Sequence, residues 1–484
     1  MIVNIINCRT RHVLYFISYA KRCFSTNKWF SLYGQPIYTT HPHLVKPAEL
    51  TPGITVAEYA ARRSQLAAAL PAHSLTILIG AQIMYKTAST FYVFHQYPNF
   101  FYLTDIHFFD LSIVERDNSS DGFKSYLFLR NKDPEEERWE GPRTGIEEAK
   151  DIFHIDEVYD LQEAQDILGK SIRRIRQIYA DIPFNANISS IHPKSKASDI
   201  LDSLCKCLLS HPILPITPWI HQLREIKSEA ELNLMEQAAS RSAAAFNSTM
   251  QTPSETEGLL WAKLSYEFKK RDCDEAYVPV IAGGTNALII HYTMNNMQLR
   301  NGDLVLVDAG GEYGNYVTDI TRTWPVNGVF SPQQRDLYQA VLNVQKACIQ
   351  LCSERHALSL DMIHQHSVEL LKTELKQLGF NISYSDLYNI LYPHYIGHHI
   401  GLDIHDCSKL PGRRLLKNNQ TIAIEPGLYI PDLPRFPKHF RGLGVRIEDS
   451  IRVGKENPTV LSKDAVKEIV DIEKICDKYK QKND

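Results

Sequence analysis

The chain has 484 residues, of which 44% are hydrophobic and 23% are charged. This length predicts two or three domains with substantial cores, because globular domains typically run to about 150 residues. The 23 glycines and 24 prolines are ordinary contents and exclude collagen-like repetition and general disorder. A net charge of -3 provides no global field that would gather nucleic acid, and no apolar run approaches the roughly 18 residues that cross a bilayer. We therefore expect a soluble protein with no nucleic-acid partner and no membrane span.

The first 45 residues are basic and contain no acidic residue. The first acidic residue is Glu49, whereas six lysines or arginines precede it. An acid-free, arginine-bearing segment with interspersed apolar residues, such as those at 13–17, is typical of an organelle import peptide. Residues 22–25, Arg-Cys-Phe-Ser, resemble the cleavage pattern of mitochondrial presequences. We predict an import leader and extension over 1–45 and a mitochondrial location; a secretory signal and an uncleaved extension are the alternatives.

The nine cysteines are scattered, and no two of them have the CxxC spacing. This pattern favours neither a structural zinc knuckle nor a disulfide framework, and it suits a reducing compartment. Cys348 and Cys352 are four residues apart in a predicted helix and would share one face of it. We interpret this pair as core packing.

Residues 46–225 alternate between helical and strand-like segments, which predicts an α/β domain. The pattern Thr55-x-x-Glu58 reads as a capping box that opens a helix ending near Leu70. An amphipathic pattern predicts another helix over 162–178. The charged run at 133–138 is interpreted as a solvated loop. Short β-rich runs predict strands at 75–80, 110–116 and 125–130.

Residues 226–470 contain a unit that occurs twice, in the order helix, helix, paired strands. Two capping boxes, Ser228-x-x-Glu231 and Ser254-x-x-Glu257, open the helices of the first unit. We expect the two units to face each other across a pseudo-two-fold axis. The remaining predicted elements are helix ends near 250 and 271 and strands at 303–308 and 316–323 in the first unit, helices from Ser331 to about Cys352 and over 360–378 and strands at 421–425 and 445–453 in the second, and a polar tail at 471–484.

Four carboxylates occupy equivalent places in the two predicted strand pairs: Asp308 and Asp319 in the first, and Glu425 and Glu448 in the second. Asp308 and Glu425 directly follow apolar strand residues, where an ionised carboxylate is costly unless it meets a positive partner. Two facing units would bring all four to one centre, which predicts a metal site. The alternative is a salt-bridged cluster, for which Arg322 and Arg446 are available.

A histidine-rich segment at 394–406 supports the metal interpretation. It contains four histidines, of which we assign His398 to the metal; a lone buried histidine is more often simply hydrogen-bonded. Gly397 and Gly401 lie in the same segment and allow close backbone approach.

These residues resemble the signatures of the proline-specific metallopeptidases of the creatinase, aminopeptidase P and prolidase group. The resemblance covers nearly the whole chain after the leader, and it is closest to the mitochondrial Xaa-Pro aminopeptidase or intermediate-cleaving branch. It implies an α/β N-terminal domain and an α+β pita-bread (creatinase-like) catalytic domain with an internal pseudo-two-fold repeat. The blocks that carry it are the segment from His394 to Asp406, Leu304-Val-Leu-Val-Asp308-Ala-Gly, Thr318-Asp319-Ile-Thr-Arg-Thr323, Ile424-Glu425-Pro-Gly-Leu-Tyr, Gly444-Val-Arg446-Ile-Glu448-Asp449 and, for the branch, Tyr33-Gly-Gln-Pro36, His41-Pro-His-Leu44 and Thr51-Pro-Gly53.

The resemblance also implies a set of functional residues and two divalent ions, most often manganese. A carboxylate-rich set with one imidazole and no thiolate agrees with Mn²⁺-like ions. His291, His394, Tyr277 and Arg446 match positions that contact the substrate or support the ligands, and Arg446 would hold a ligand carboxylate in place. The implied catalytic residues are Glu425, His405 and His291, and the implied metal ligands are Asp308, Asp319, His398, Glu425 and Glu448.

The implied activity is that of an aminopeptidase that removes one N-terminal residue by attack of a metal-bridging hydroxide. Its substrates would be Xaa-Pro peptides or mitochondrial proteins already trimmed of their presequence. A prolidase that cuts only dipeptides and a catalytically dead binding module of the same fold are the alternatives. The complete ligand set disfavours the dead module and creatinase, which is metal-free. Family members are commonly dimers or larger, so we expect a homodimer or a larger assembly.

Overall fold

The computed structural model describes residues 33–108, 111–116, 122–180 and 212–477. Most of the predicted import leader, including its cleavage pattern at 22–25, lies outside these ranges. Four of the nine cysteines (Cys8, Cys23, Cys205 and Cys207) lie outside them as well. None of the helices in the described ranges combines the length and the apolar character of a membrane span.

The N-terminal part alternates strands with short helices. In chain order these are β1 (Glu49–Thr51), β2 (Ile54–Thr55), α1 (Val56–Ala69), β3 (Ser74–Ile79), α2 (Pro98–Thr104), β4 (Leu111–Glu115), β5 (Lys124–Leu129), α3 (Pro134–Glu140), α4 (Ile146–Phe153), β6 (Glu157–Asp160), α5 (Ala164–Ile172), β7 (Gln177–Ala180) and β8 (Ile213–Pro215). Six of the strands form one mixed sheet in the order β6-β5-β4-β3-β7-β8. The strands β3, β4 and β5 pair antiparallel, and the outer pairings are parallel. This sheet confirms the predicted α/β architecture.

Helix α1 begins after Thr55, but the capping box predicted there is not formed. Thr55 makes no side-chain hydrogen bond to the helix. Glu58 instead accepts hydrogen bonds from Arg62, at 2.8 Å, and from Ser228, at 2.7 Å. The local prediction was wrong because tertiary partners use the carboxylate that the motif would have used.

Two further segments of this part differ from their predictions. The helix predicted over 162–178 ends at Ile172, because residues 177–180 pair in parallel with β3 inside the sheet. The charged run at 133–138 is helical rather than a loop, since Asp133 caps α3 by accepting hydrogen bonds from the backbone N–H groups of Glu135 and Glu136. Strand pairing in the sheet explains why the first helix ends early, and a local cap explains why the second segment is helical.

The C-terminal part contains the two predicted units of two helices followed by strands. Its elements are α6 (Thr217–Glu225), α7 (Glu229–Met250), α8 (Glu257–Lys269), β9 (Asp274–Glu275), β10 (Val280–Gly283), β11 (Leu304–Ala309), β12 (Gly311–Tyr313), β13 (Tyr316–Val317), β14 (Ile320–Pro325), α9 (Pro332–Gln350), α10 (Leu360–Gln377), α11 (Tyr384–Asp386), β15 (Thr421–Ile424), β16 (Gly427–Tyr429), β17 (Gly444–Arg446), β18 (Asp449–Arg452), β19 (Thr459–Val460) and α12 (Ile469–Asp477).

The helices of the C-terminal part start where side-chain caps are available. The capping boxes at Ser228 and Ser331 are both formed, which confirms the predicted starts of α7 and α9. Helix α8 starts later than predicted, because Thr256 rather than Ser254 accepts the hydrogen bond from the backbone N–H of Leu259.

Both predicted strand pairs form, and each is interrupted next to a carboxylate. β11 pairs antiparallel with β14, and β15 pairs antiparallel with β18. Residues 318–319 separate β13 from β14, and residues 447–448 separate β17 from β18. The two pairs meet where the backbone N–H of Glu448 donates to the carbonyl oxygen of Thr321, at 3.1 Å. These breaks place Asp319 beside Glu448; the pseudo-two-fold relation between the units stays a prediction.

One large apolar core joins the helices of both units. Cys348 and Cys352 are buried in it, as the sequence predicted. Helix α12 adds Ile472 to the same core, so the tail predicted at 471–484 begins inside a packed helix rather than as a polar extension. The domain boundaries at 45, 225 and 470 stay predictions.

Candidate metal centre and active site

Four carboxylates at the strand ends of the C-terminal part point to one region. Asp308 lies in β11 and Glu425 directly follows β15, whereas Asp319 and Glu448 occupy the two strand breaks. Ligand atoms of Asp319, His398 and Glu448 all lie within 4.8 Å of one another, close enough to hold a metal ion between them.

Two further contacts tie the other carboxylates to that group. The Tyr277 hydroxyl lies 2.6 Å from Asp308 Oδ1 and 2.5 Å from Asp319 Oδ1. His398 Nε2 lies 3.4 Å from Asp319 Oδ2 and 3.7 Å from Glu425 Oε1. The structure therefore gathers the five side chains predicted as ligands, and Tyr277 spans two of them.

The positive side chains near this group do not balance its charge. Arg446 Nη2 lies 2.5 Å from Asp308 Oδ2. Arg322 instead pairs with Asp449, at 2.7 Å. Among the described residues, the other three carboxylates have no lysine or arginine within ion-pair distance. The salt-bridge alternative thus accounts for one carboxylate of four.

Because the charge is not balanced, two buried carboxylates of the group have raised pKa values. Glu448 accepts a hydrogen bond from the Thr321 hydroxyl at 2.6 Å through Oε2, but its buried Oε1 has no hydrogen-bond partner among the described residues. Burial, reinforced by Asp319 and Glu425, raises the pKa of Glu448 well above its usual range. Burial also raises the pKa of Glu425 to about 7, although His398 and Arg446 lower it. Bound cations would remove this cost.

His398 faces the carboxylates and keeps an open side. Burial lowers its pKa, but the hydrogen bond with Asp319 and the charge of Glu425 outweigh burial and raise it to about 9. Its Nδ1 lies 3.1 Å from the carbonyl oxygen of His399, which leaves Nε2 directed at the carboxylates. The side chains of His398 and Glu425 are 21% and 20% exposed, so a ligand can reach them.

His394 is held in place rather than free to bind. Its Nε2 lies 2.9 Å from the Tyr429 hydroxyl and its Nδ1 lies 2.8 Å from the carbonyl oxygen of Tyr395. Burial and the charge of Arg446 lower the pKa of His394 to about 3, so the imidazole is neutral. Arg446 Nη1 donates to the same Tyr429 hydroxyl at 2.9 Å. Tyr429 therefore links His394 to the arginine that holds Asp308.

His405 and His291 are exposed, and His405 lies at the rim of the site beside His398. The His405 ring is 4.5 Å from the His398 ring, edge to face at 88°. Burial and the neighbouring His398 lower the pKa of His405. The exposed His405 can present an N–H group to a molecule bound beside His398.

The glycines of the histidine segment allow two close approaches. A Cβ at Gly397 would lie 1.9 Å from the carbonyl oxygen of Ala423, so only glycine lets the segment pack against β15. A Cβ at Gly401 would lie 2.3 Å from Asp406 Oδ2. Both positions confirm the predicted close approach.

Sequence reasoning missed several residues that support the site. Thr321 and Tyr429 both lie inside the recognised blocks and were given no role, although their position there was a usable signal. No sequence signal connects Arg224 or Lys227 to the site, because their partner, Asp406, is about 180 residues away in the chain.

Two family models match the chain. The model described as metallopeptidase family M24 matches residues 233–455, and the model described as aminopeptidase P, N-terminal domain, matches residues 59–179.

Curated relatives match along almost the whole length. Intermediate cleaving peptidase 55 of Schizosaccharomyces pombe is 42% identical over 97% of this chain and 95% of its own. Xaa-Pro aminopeptidase 3 of Homo sapiens is 37% identical, covering 92% and 90%.

Solved structures show the same architecture. The crystal structure of Icp55 from Saccharomyces cerevisiae, with 58 N-terminal residues deleted, has a TM-score of 0.81 at 40% identity, covering 89% of this chain and 100% of that one. Aminopeptidase P from E. coli with the inhibitor Pro-Leu has a TM-score of 0.80 at 26% identity, covering 88% and 99%.

Proposed function

Because this chain belongs to metallopeptidase family M24, we propose that its carboxylate and histidine cluster is the centre of a dinuclear aminopeptidase. The protein is a metallo-aminopeptidase with an aminopeptidase P-type N-terminal domain and a pita-bread catalytic domain. It removes a single N-terminal residue, from Xaa-Pro peptides or from proteins already trimmed of their presequence. The observation that carries the proposal is the convergence of Asp319, His398 and Glu448 within 4.8 Å.

The side chains fit a pair of divalent ions, as the family implies. Four carboxylates share one arginine, and the buried Glu448 Oε1 has no hydrogen-bond partner among the described residues. We propose Asp308, Asp319, His398, Glu425 and Glu448 as the ligands. Manganese is the proposed metal, because oxygen donors with one imidazole and no thiolate favour Mn²⁺-like ions. Arg446 and Tyr277 would keep the ligand carboxylates oriented.

Two bound divalent ions would lower the pKa of water and supply a hydroxide nucleophile near neutral pH. The Glu425 side chain is 20% exposed and can carry a proton toward the leaving nitrogen. His405 or His291 can donate a hydrogen bond to the developing oxyanion, and one such donor is typically worth about 2.7 to 4 kcal/mol. His394 would line the site in a fixed orientation, since its two ring nitrogens lie at hydrogen-bond distance from the carbonyl oxygen of Tyr395 and the Tyr429 hydroxyl.

The cellular location of the protein is proposed from its leader and its relatives, and its assembly from the family resemblance. We propose that the protein works in mitochondria, since the basic, acid-free leader agrees with relatives such as the Arabidopsis thaliana protein named "Intermediate cleaving peptidase 55, mitochondrial". A homodimer or larger assembly is proposed on the resemblance alone.

The site assignment is tested by Asp308→Asn and His398→Ala, with the exposed His366→Ala as a matched control. Each site variant should keep its fold and lose about 100-fold or more in activity with Mn²⁺ added, whereas His366→Ala should keep the wild-type rate. The assay is mass spectrometry of products from a mixed library of dipeptides, Xaa-Pro-Pro peptides and presequence-trimmed peptides.

The same library separates the substrate classes. Turnover restricted to dipeptides would favour prolidase, and no turnover by the wild-type chain would contradict the proposed function. A site variant that cleaves at the wild-type rate would contradict the ligand assignment.

A further inference from the structure

A buried cluster of three charged side chains includes Asp406, the last residue of the histidine segment. The Asp406 carboxylate contacts Arg224 Nη2 through one oxygen and lies 2.9 Å from Lys227 Nζ through the other. All three side chains are at most 2% exposed. We name this group, Arg224, Lys227 and Asp406, the Asp406 cluster.

The Asp406 cluster connects the two parts of the protein. Arg224 lies at the end of α6, and Lys227 follows it in the connection to α7. The second arm of the Arg224 guanidinium, Nη1, donates to Asn99 Oδ1 in α2 at 2.6 Å. One side chain thus binds both the N-terminal part and the segment that carries His398 and His405.

Backbone contacts connect the Asp406 cluster to His398 and His405. The N–H of Asp406 donates to the carbonyl oxygen of His399 at 2.8 Å, and the two residues form a β-bridge. His398 and His405 directly precede this bridged pair, and their rings lie 4.5 Å apart. A shift of the Asp406 backbone would therefore move the His405 ring relative to His398.

Gly401 leaves space for the Asp406 cluster, because it has no side chain. A Cβ at Gly401 would lie 2.3 Å from Asp406 Oδ2 and 3.1 Å from Lys227 Cε. Burying three charges is costly, and apolar replacements of such clusters are often no less stable. Apolar replacements would not orient the residue at position 406. The two cations do so, because each fixes one oxygen of the Asp406 carboxylate.

We propose that Arg224 and Lys227 are positioning residues, which act through Asp406 to hold the His405 imidazole at the rim of the active site. The inference rests on the proposed function, in which His405 faces the substrate. It assigns to the junction between the N-terminal and catalytic parts an influence, through His405, on the rate of peptide cleavage. Neither cation touches the reacting atoms; both set the place of a residue that does.

A double-mutant cycle between Lys227→Met and His405→Ala tests whether the two residues act together. In the wild-type chain, Lys227→Met should lower kcat about 10- to 100-fold, as loss of a supporting residue typically does. In the His405→Ala background the same change should lower kcat less than about twofold, because the residue that it positions is already absent. A purely structural defect would cost the same factor in both backgrounds and would overturn the proposal, as would an unchanged kcat for Lys227→Met.

A matched control comes from helix α8, where Glu267 lies between Lys263, at 2.7 Å, and Arg271. Lys263→Met also removes a lysine from a buried carboxylate that has an arginine partner, but away from the histidine segment. It should keep the wild-type kcat. A loss equal to that of Lys227→Met would show a general effect of disturbing such clusters and would overturn the assignment.

A crystal structure of Lys227→Met provides a readout that does not depend on activity. The His405 ring should leave its position 4.5 Å from His398, while Asp319 and Glu448 stay in place. A His405 ring in its original position would overturn the inference. If the wild-type chain cleaves none of the library peptides, the proposed function fails, and this crystal structure still decides whether the cluster positions His405.

Discussion

Two clusters of the molecule, each built around a buried aspartate, have the same chemistry but join different parts of the chain. In the Asp406 cluster, two cations reach the histidine segment from the junction between the N-terminal and catalytic parts. In a second group, which we name the Asp449 cluster, Arg322 lies 2.7 Å from Asp449 and Lys467 lies 2.5 Å from it. Gln345 and Ser462 also donate to Asp449, both at 2.7 Å, so all contacts of this cluster belong to the C-terminal part.

Each aspartate directly follows a residue of the site, which is His405 in one cluster and Glu448 in the other. The Asp449 cluster therefore fixes the interior strand that carries a proposed metal ligand, with partners from its own core. The Asp406 cluster fixes a rim segment, with partners from α6 and its connection to α7, and Arg224 also donates to Asn99 of the N-terminal part. The comparison indicates that Glu448 of the proposed metal centre is supported by its own core, whereas His405, the proposed substrate-facing histidine, precedes an aspartate that is held from the junction between the two parts.

The largest effect is expected from Arg322→Met, which breaks the Asp449 cluster. Arg322 is fully buried and donates to the carbonyl oxygens of Glu448, at 2.5 Å, and Ala465, at 2.8 Å, as well as to Asp449. Removing one partner of such a pair should lower the free energy of unfolding by about 3 to 5 kcal/mol. Urea denaturation measures this change, and a loss below about 1 kcal/mol would show that the Asp449 cluster is not the stronger support.

Lys227→Met should cost less, because among the described residues the Lys227 side chain donates to Asp406 alone, whereas Arg322 also donates to two backbone carbonyl oxygens. We expect a loss of about 1 to 3 kcal/mol in the free energy of unfolding at neutral pH. Burial raises the pKa of Asp406, but Arg224 and Lys227 outweigh burial and hold it well below its usual range. The stabilisation is therefore present above the unfolded pKa, about 3.9, and is lost as the pH falls through the folded pKa.

The difference between wild type and Lys227→Met should accordingly shrink as the pH falls below about 4. Denaturation curves recorded from pH 7 to pH 3 measure it. A difference that grows toward acid pH would contradict the assigned role of Asp406.

The smallest effect is expected from His95→Gln, which removes a more exposed tie between the two parts. His95 Nε2 lies 3.1 Å from Glu312 Oε2, and the two side chains are 51% and 12% exposed. The hydrogen bond with Glu312 raises the pKa of His95 against the effect of burial, and Asp403 contributes to the rise. The stabilisation is complete below the unfolded pKa, about 6.5, and is lost as the pH rises through the folded pKa.

His95→Gln should therefore lower the free energy of unfolding by about 0.2 to 1 kcal/mol at pH 6 and by less as the pH rises. Thermal unfolding at several pH values is the measurement. A loss in the free energy of unfolding as large as that of Lys227→Met would show that the exposed contact stabilises the protein as much as the buried one.

Local patterns predicted those features whose causes lie within a few residues. The capping boxes at Ser228 and Ser331 fix the starts of α7 and α9, and the apolar runs before Asp308 and Glu425 become buried strands. The box at Thr55 failed although its pattern is the same, because Glu58 has partners that are distant in sequence. The predicted helix over 162–178 failed because a parallel strand on β3 competes for its last residues.

The sequence alone determined the kind of chemistry, since the identity and order of the carboxylates, histidines and flanking glycines suffice to predict a cation centre and its family. Only the tertiary structure decided which cation meets which carboxylate: Arg446 pairs with Asp308, Arg322 with Asp449, and Arg224 and Lys227 with Asp406. The physical reason is that an ion pair depends on separation in space, and these partners are about 130 to 180 residues apart in the chain.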